Sequence, residues 1–189
     1  YDKSGLGITL KQGIAGRAYQ LETHPTKYEY GFNGCWGELR KYGVDRNTAT
    51  LQCLGYYTDK TLTFKAILQP TESIEESITI EYYESNGNLV AREQHISETD
   101  RRITYYVYDD LGRQRYIIPP SVDITSTTSF SQSVYNCFYT EYDEYGRVFK
   151  QYVPGMSYTL SLYDRRGRLA LTQNGEQRKI DKWSYTKYD

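Results

Sequence analysis

Short runs of alternating hydrophobic and polar residues dominate the chain from about residue 78 onwards. The runs are rich in Tyr, Val, Ile and Thr, which suit a pleated, half-buried surface and therefore predict β-strands. They occur in pairs along the chain: Ile103–Tyr108 with Arg113–Ile118, Phe138–Tyr142 with Arg147–Val153, and Tyr158–Tyr163 with Arg168–Thr172. No stretch carries a sustained helical period with caps, so little helix is expected.

A short motif lies between the two runs of each pair. It consists of Tyr, an acidic residue, two variable residues and Gly, and in three copies an Arg follows the Gly. The copies comprise Tyr83 and Gly87; Tyr108, Asp109, Gly112 and Arg113; Tyr142, Asp143, Gly146 and Arg147; and Tyr163, Asp164, Gly167 and Arg168. Tyr1–Gly5 is a similar segment, and Tyr188 and Asp189 are expected to begin a further copy. Four internal copies with Gly at one offset indicate a structural repeat.

The motif predicts a tight turn. Asp109 suits position i of a type I turn because its carboxylate can accept hydrogen bonds from backbone N–H groups two residues on. Gly112 suits the left-handed conformation that completes such a turn with a bulge. Each copy is therefore predicted to be a β-hairpin. The Arg after the Gly is expected to form a cross-strand or inter-repeat ion pair with a turn carboxylate, and a solvated side chain stacked on Tyr is the alternative.

Further reversal signals separate the predicted hairpins. Val153–Met156 has Pro and Gly in the order of a type II turn, and Asn174-Gly175 is a strong hairpin signal. Ser97–Arg101 is a polar stretch that follows the predicted strand Leu89–Ile96. Strands and turns thus alternate into an antiparallel meander.

Two regions are less regular. A Ser/Thr-rich stretch from Pro119 to Gln132 predicts a loop, and a short helix near Ser131–Asn136 is compatible with the pattern. Residues 1–77 carry short β-favouring runs between glycines, at Lys27–Phe32, Glu38–Tyr42 and Thr61–Leu68. We therefore predict an irregular β-rich part over residues 1–77 and a β-hairpin array over residues 78–189, joined in one continuous sheet.

Tyrosine supplies most of the apolar area. The chain has 22 Tyr, and its mean hydropathy is -0.75. A Tyr ring buries a large area while its hydroxyl stays wet or hydrogen-bonded. Runs such as Tyr105–Tyr108 place rings on both faces of a strand. The predicted fold is therefore all-β, in a single-layer or wide-shelled sheet whose two faces are both only partly dry.

Charge and cysteine content exclude several classes of partner. There are 23 Lys and Arg against 24 Asp and Glu, so the basic face that binds nucleic acid is not expected. No apolar run approaches the ~20 residues of a membrane helix, so no membrane span is expected. Cys35, Cys53 and Cys137 follow no metal or redox spacing and allow at most one disulfide. We interpret them as small buried or half-buried thiols.

No pattern of residues indicates catalysis or a bound cofactor. His24 and His95 stand alone, and we interpret both as surface or structurally satisfied residues. The adjacent acids Asp109–Asp110 and Glu75–Glu76 would point to opposite faces of a strand, whereas glycosidases need two carboxylates that face each other. One Asp per turn is too few ligands for calcium. The chain is therefore not expected to be an enzyme or to hold a metal or cofactor.

The motif resembles that of the YD-repeat, or RHS (rearrangement hotspot), family, in which Tyr-Asp-x-x-Gly-Arg turns recur along the chain. The likeness is specific in Tyr108–Arg113 and in the Tyr-Asp and Gly-Arg pairs of the next two copies. The stretch Tyr105–Arg113 running into Ile117–Pro120 is similar to segments of RHS-like proteins of Bacteroidetes type, and so are Tyr28–Asn33 and Val153–Gly155. The resemblance covers residues 78–189 firmly and the first 77 residues loosely.

The resemblance implies a curved or spiralling sheet that forms part of an RHS-type shell in a larger secreted or cell-surface protein. The family includes polymorphic toxins, whose shell encloses a C-terminal effector, and animal adhesion receptors. The Asp-Pro-x-Gly core motif, which acts in self-cleavage of toxin members, does not occur here. Four or five repeats are also too few to close a shell alone.

These observations favour one function and leave one alternative. The expected function is a non-enzymatic structural scaffold that contributes to a β-shell or interaction surface, with further repeats of the same parent protein as partners. The alternative is a carbohydrate- or cell-surface-binding module, because aromatic rings on a polar sheet are also typical of sugar-binding faces. That alternative requires exposed tyrosines with polar groups between them.

Overall fold

The structure is a computed structural model that describes residues 8–13, 21, 24–34, 37–46, 48–69, 77–97, 100–124 and 135–188. Most of its regular structure is β-strand. The elements are β1 (Lys11–Gln12), β2 (Thr26–Phe32), β3 (Arg40–Val44), β4 (Leu51–Tyr56), β5 (Thr63–Gln69), β6 (Ser77–Tyr83), β7 (Leu89–His95), β8 (Arg101–Tyr108), β9 (Gln114–Ile118), β10 (Phe138–Tyr142), β11 (Val148–Tyr152), β12 (Thr159–Tyr163), β13 (Leu169–Gln173), α1 (Gly175–Lys179) and β14 (Ser184–Tyr185).

The strands of the described residues form two sheets. The large sheet has twelve strands in the order β1-β2-β5-β6-β7-β8-β9-β10-β11-β12-β13-β14, and β3 pairs with β4 in a small sheet. Strands that follow one another in the chain are neighbours in the large sheet, except that β3 and β4 are inserted between β2 and β5. The predicted antiparallel meander of hairpins is confirmed. The large sheet includes β1, β2 and β5 from the first 77 residues as well as the strands that follow them.

The four motif copies are the turns of four hairpins. In each copy the N–H of the Gly donates to the carbonyl of the acidic residue three positions earlier, at 2.9 to 3.0 Å. All four glycines have positive φ angles: Gly87 (86°), Gly112 (73°), Gly146 (77°) and Gly167 (78°). The strand register also shifts beside the turns, between Glu141 and Tyr142 and between Leu162 and Tyr163. The predicted turn with a bulge is therefore confirmed.

The other predicted reversals are partly confirmed. Val153–Met156 is a type II turn, in which the N–H of Met156 donates to the carbonyl of Val153 (3.0 Å) and Gly155 has φ of 74°. At the polar stretch between β7 and β8, the N–H of Ile96 donates to the carbonyl of Asp100 (3.0 Å).

Asn174-Gly175, in contrast, does not form the predicted hairpin turn. Asn174 is the N-cap of α1, with an extended backbone. Its Oδ1 accepts the N–H of Gln177, and the Gln177 side chain accepts the N–H of Asn174, both at 2.9 Å. This reciprocal capping box stabilises the first helical turn, and it outweighs the turn preference of the Asn-Gly pair. The chain still reverses, because β14 pairs antiparallel with β13.

Several predicted features fall outside the described residues. They are Tyr1–Gly5, the acidic pair at 75–76, Cys35, Asp189 and residues 125–134 of the predicted loop and short helix. Within the described part, Pro119–Ile124 is a loop, and the N–H of Val122 donates to the carbonyl of Pro119 (3.0 Å). Tyr135 and Asn136 form a short 3₁₀ turn.

Contacts divide the chain into two compact units. One comprises Tyr1–Lys41 and Gly55–Tyr105, and the other Tyr42–Leu54 and Tyr106–Asp189. This division differs from the one drawn at residue 77 on sequence grounds. The first unit has a conventional hydrophobic core, which contains Leu39, Leu62, Phe64, Ala66, Ile80, Tyr82, Val90 and Ala91.

The two units differ in how their strands are buried. In β5 and β6 of the first unit, alternate residues such as Phe64, Ala66 and Ile80 are buried, so one face is dry. In β11, β12 and β13 of the second unit, nearly every residue is half-buried. The prediction of two partly dry faces therefore describes the repeat strands β11 to β13 and not β5 and β6.

Replacing Gly112 by Val should destabilise the protein. A Cβ at Gly112 has no heavy atom within 4 Å, so the cost comes from the backbone and not from a clash. A β-branched residue resists the positive φ of this turn, and the expected loss is roughly 1–3 kcal/mol of unfolding free energy. Denaturant unfolding measures it, with Leu111→Val as the control because Leu111 is 74% exposed. Equal unfolding midpoints for the two variants would contradict the turn assignment.

Candidate functional site

The acidic residue of each complete motif is held by its own turn. Asp143 Oδ1 accepts the N–H groups of Tyr145 (3.0 Å) and Arg147 (2.8 Å), and Oδ2 accepts from Arg147 Nε (2.7 Å). Asp109 with Arg113 and Asp164 with Arg168 repeat this pattern. The carboxylate therefore satisfies the turn backbone and fixes the guanidinium by charge-assisted hydrogen bonds. The predicted Arg–carboxylate pair is confirmed in its cross-strand form.

The Arg of one motif also contacts the Tyr of the next. The guanidinium carbon of Arg113 lies 5.0 Å from the ring centroid of Tyr142, and that of Arg147 lies 4.6 Å from Tyr163. Arg168 lies 4.4 Å from Tyr188. Stacking on Tyr, which the sequence offered as the alternative role of this Arg, therefore occurs together with the ion pair. It joins consecutive repeats, whereas the ion pair lies within one turn.

A hydrogen bond from the same Tyr reinforces each contact. The hydroxyl of Tyr142 donates to the carbonyl of Gln114 (2.8 Å), and that of Tyr163 donates to the carbonyl of Val148 (2.7 Å). The hydroxyl of Tyr188 donates to the carbonyl of Leu169 (2.9 Å). In each case the acceptor is the residue directly after the motif Arg. We call this combination of Asp–Arg pair, Arg–Tyr stack and Tyr hydroxyl bond the repeat interlock.

The repeat interlock lies where the backbone ladder is short. Between consecutive hairpins, β11 and β12 pair through Lys150 with Leu160 and Gln151 with Thr159. Within a hairpin, β12 and β13 pair over a longer stretch that extends from Leu160 to Tyr163. The side-chain contacts therefore fasten the part of the junction that the ladder does not cover.

The turn carboxylates have lowered pKa values. Burial alone would raise the pKa of Asp109, but the side-chain and backbone hydrogen bonds from Arg113 outweigh it. The same balance lowers the pKa of Asp143. For Asp164 the backbone bond from Arg168 is the largest cause of the lowered pKa. Each carboxylate is thus held in its charged form, because its bonds favour that form.

The first motif copy keeps the backbone turn but not the interlock. Glu84 replaces the Asp and Asn88 replaces the Arg. The N–H of Asn88 donates to Asn86 Oδ1 (2.9 Å), and Glu84 Oε1 instead accepts the hydroxyl of Tyr57 (3.0 Å). The copy's own tyrosine, Tyr83, donates to Glu81 (2.8 Å) and has a pKa raised to about 12, first by burial and then by Glu81.

A small cleft lies beside this altered turn in the first unit. It has a volume of about 240 Å³. It is lined by Lys41, Tyr56, Tyr57, Thr58, Thr61, Leu62, Glu84 and Ser85. The lining residues thus carry two aromatic rings, three aliphatic hydroxyls, an aliphatic side chain, a carboxylate and an ammonium group.

A second polar cluster is buried in the first unit, and sequence reasoning missed it. Glu93 is fully buried, and its Oε1 accepts from Arg101 Nε and His95 Nε2, both at 2.6 Å. Its Oε2 accepts the hydroxyl of Tyr82 (3.2 Å). His95 is therefore a satisfied histidine, in agreement with its interpretation from sequence. The carboxylate is neutralised and hydrogen-bonded on both oxygens, which a buried charge requires. The alternation of β7 places Glu93 on the same face as the buried Ala91, and this was the sequence signal that could have indicated a buried carboxylate.

The remaining candidates are dispersed. Tyr108 is half-buried at the end of β8, and His24 is exposed. Cys53 is half-buried and Cys137 is buried, and burial raises the pKa of the Cys137 thiol to about 11. Asp110 forms a surface ion pair with Arg46, whereas the neighbouring Asp109 binds Arg113.

The described residues contain no cluster of His, Cys, Asp and Glu that could hold a metal ion. Across those same stretches, no helix has the length and apolar character needed to cross a membrane. Comparison with protein-family models and with curated proteins finds no match for this sequence.

Replacing Tyr163 by Phe should weaken the junction between repeats. The change keeps the ring on Arg147 but removes the donor to the Val148 carbonyl, and the expected cost is about 0.5–1.5 kcal/mol of unfolding free energy. Tyr145→Phe is the matched control, because Tyr145 is 74% exposed and also lies against Arg147. Denaturant unfolding measures both variants. Equal stabilities would contradict a structural role for the Tyr163 hydroxyl.

Stability should fall at acidic pH through the turn carboxylates. An unfolded Asp has a pKa of about 3.9, and the pKa values in the folded protein are lower. At a pH between the folded and unfolded values, the unfolded chain therefore binds more protons than the folded one. The stabilisation is complete above about pH 5 and is lost as the pH falls through the folded values. Asp143→Asn should flatten this dependence in unfolding curves measured across that range. Glu144→Gln, which removes a charge without touching Arg147, is the charge-matched control, and equal slopes for the two variants would refute the assignment.

Proposed function

We propose that this chain is a non-enzymatic structural scaffold, a section of a YD-repeat array in a larger secreted or cell-surface protein of RHS type. The observation that carries the proposal is the repeat interlock, which recurs at three successive junctions. Because each hairpin contacts the next through the same interlock, repeats can follow one another in an array. The stability of such an array is roughly the sum of its repeats and their junctions.

The chemistry of the motif supports a structural role. Its carboxylates are bonded to their own turns, its guanidinium groups lie between that carboxylate and the next Tyr ring, and its hydroxyls bind backbone carbonyls. Polar groups that satisfy one another in this way are not directed towards a substrate. Partners of the scaffold are therefore proposed to be further repeats of the same parent protein, which together build a β-shell or an interaction surface.

The parent gene tests this proposal. Sequencing the coding region on both sides of this chain should reveal further Tyr-Asp-x-x-Gly-Arg copies and an export signal. The full-length product should then be cleaved when intact cells are treated with protease, while a cytoplasmic marker protein in the same cells stays intact. A gene without further copies, or a product protected inside intact cells, would contradict the proposal.

A second candidate function is binding of carbohydrate at a cell surface. The observation that favours it is the cleft beside the altered turn, where Tyr56 is 55% exposed and Thr58 and Ser85 also line the walls. Aromatic rings with a few convergent polar groups are the usual make-up of small-ligand sites. This function is compatible with a scaffold, because binding would use one surface of the array.

A further inference from the structure

The carboxylate of the altered first motif pairs with no basic side chain among the residues that the structure describes. In the other three copies the turn acid is paired with its own Arg, but Asn88 stands where that Arg would be. Glu84 has one methylene more than Asp, and its carboxylate leaves the turn to accept the Tyr57 hydroxyl at 3.0 Å. Its other oxygen accepts only a long bond from Asn86 (3.3 Å), and Glu84 forms no ion pair with any residue that the structure describes.

The groups around Glu84 form a small recognition surface. Glu84 and Ser85 come from the hairpin turn, Tyr56 ends β4, and Tyr57 and Thr58 follow it. Thr58 and Ser85 are exposed, and their hydroxyls make no hydrogen bond within the described chain. Free hydroxyls and a half-exposed carboxylate in one cleft provide donors and acceptors that a ligand can use.

Charge and size limit the ligand class. The Glu84 carboxylate and the Lys41 ammonium line the same cleft, and the Arg40 guanidinium carbon lies 6.0 Å from the Tyr56 ring centroid. Because charges of both signs lie at the site, a ligand of either net charge meets a like charge there. The Lys41 nitrogen lies 5.5 Å from the Tyr57 ring centroid. The volume of about 240 Å³ is below the usual range of about 300–1,000 Å³ for drug-sized ligands, which favours a single small ring.

We propose that this cleft binds one uncharged sugar ring, with the Tyr56 ring against its apolar face and the Glu84 carboxylate accepting its hydroxyl groups. The proposal rests on the second candidate function and adds the site and the class of ligand. Tyr57 is a positioning residue, since its hydroxyl orients the carboxylate. Burial, followed by the charge of Glu84, raises the pKa of Tyr57, so this hydroxyl keeps its proton and continues to donate.

Titration of the ¹⁵N-labelled full chain with neutral monosaccharides tests the site by NMR. The probes are glucose, galactose, mannose and N-acetylglucosamine, with glucuronic acid as the charged comparison. At least one neutral sugar should shift the amide signals of residues 41, 56–58 and 84–85 in a saturable way. Tyr56→Ala and Glu84→Gln should each weaken its binding by about tenfold or more, because each removes one of the two main contacts. Tyr185→Ala and Glu176→Gln are the controls, since both residues are exposed and lie outside the cleft, and they should bind like the wild type.

The outcomes separate the site from the broader function. If a sugar binds but the two cleft variants bind it unchanged, the site is wrong while carbohydrate binding stands. If no probe shifts any signal, both the site and the carbohydrate function are wrong, and the scaffold proposal is unaffected. Tighter binding of glucuronic acid than of glucose would overturn the uncharged ligand class. Both cleft variants should fold, because Tyr56 is exposed and Glu84→Gln keeps the side-chain shape. Amide signals outside the cleft that match those of the wild type will verify this.

Discussion

The guanidinium of each complete motif is fixed twice, first by the Asp of its own turn and then by the Tyr ring of the next hairpin. The Asp–Arg bond removes most of the freedom of a long side chain, so the ring meets a cation that is already oriented. The hydroxyl of that Tyr then binds the backbone beside the same Arg, as Tyr163 does at Val148. These hydrogen bonds to backbone carbonyls link the side-chain contact to the strand register. This explains why Tyr recurs at the first position of the motif.

This contact explains why a sheet with so few aliphatic residues can be ordered. In the first unit, a dry face of aliphatic and aromatic residues surrounds one neutralised carboxylate, Glu93. In β11, β12 and β13 nearly every residue is half-buried, and half-buried tyrosines such as Tyr163 combine apolar area with a satisfied hydroxyl. Loss of a single interlock should therefore loosen one junction, whereas loss of a core residue in the first unit would affect the whole face.

The turns and the Asp–Arg pair could be predicted from the sequence, whereas the Tyr hydroxyl bonds between repeats and the contacts of Glu93 and Glu84 could not. The β-favouring runs matched β2, β3, β5 and the strands from β7 to β13 within two residues, whereas no run was assigned to β4 or β6. Gly112 and Gly155 marked their turns because only glycine adopts their φ angles readily. Asn174 misled because a capping box, which depends on Gln177 three residues on, competed with the Asn-Gly turn. The Glu93 cluster joins residues of the neighbouring strands β6, β7 and β8, and strand alternation signals only that Glu93 faces the core, not which groups bind it. The Glu84 cleft depends on the residues around the end of β4 lying beside the turn after β6, and sequence spacing does not reveal that proximity.

The most direct test of the account is a double-mutant cycle between Arg147 and Tyr163. Arg147→Gln, Tyr163→Leu and the double variant are unfolded in denaturant, and the coupling energy is taken from the four unfolding free energies. A cation over a ring in a half-exposed site predicts a coupling of about 0.5–1 kcal/mol. Effects of the two substitutions that add within about 0.3 kcal/mol would show that the repeats are not joined through this contact.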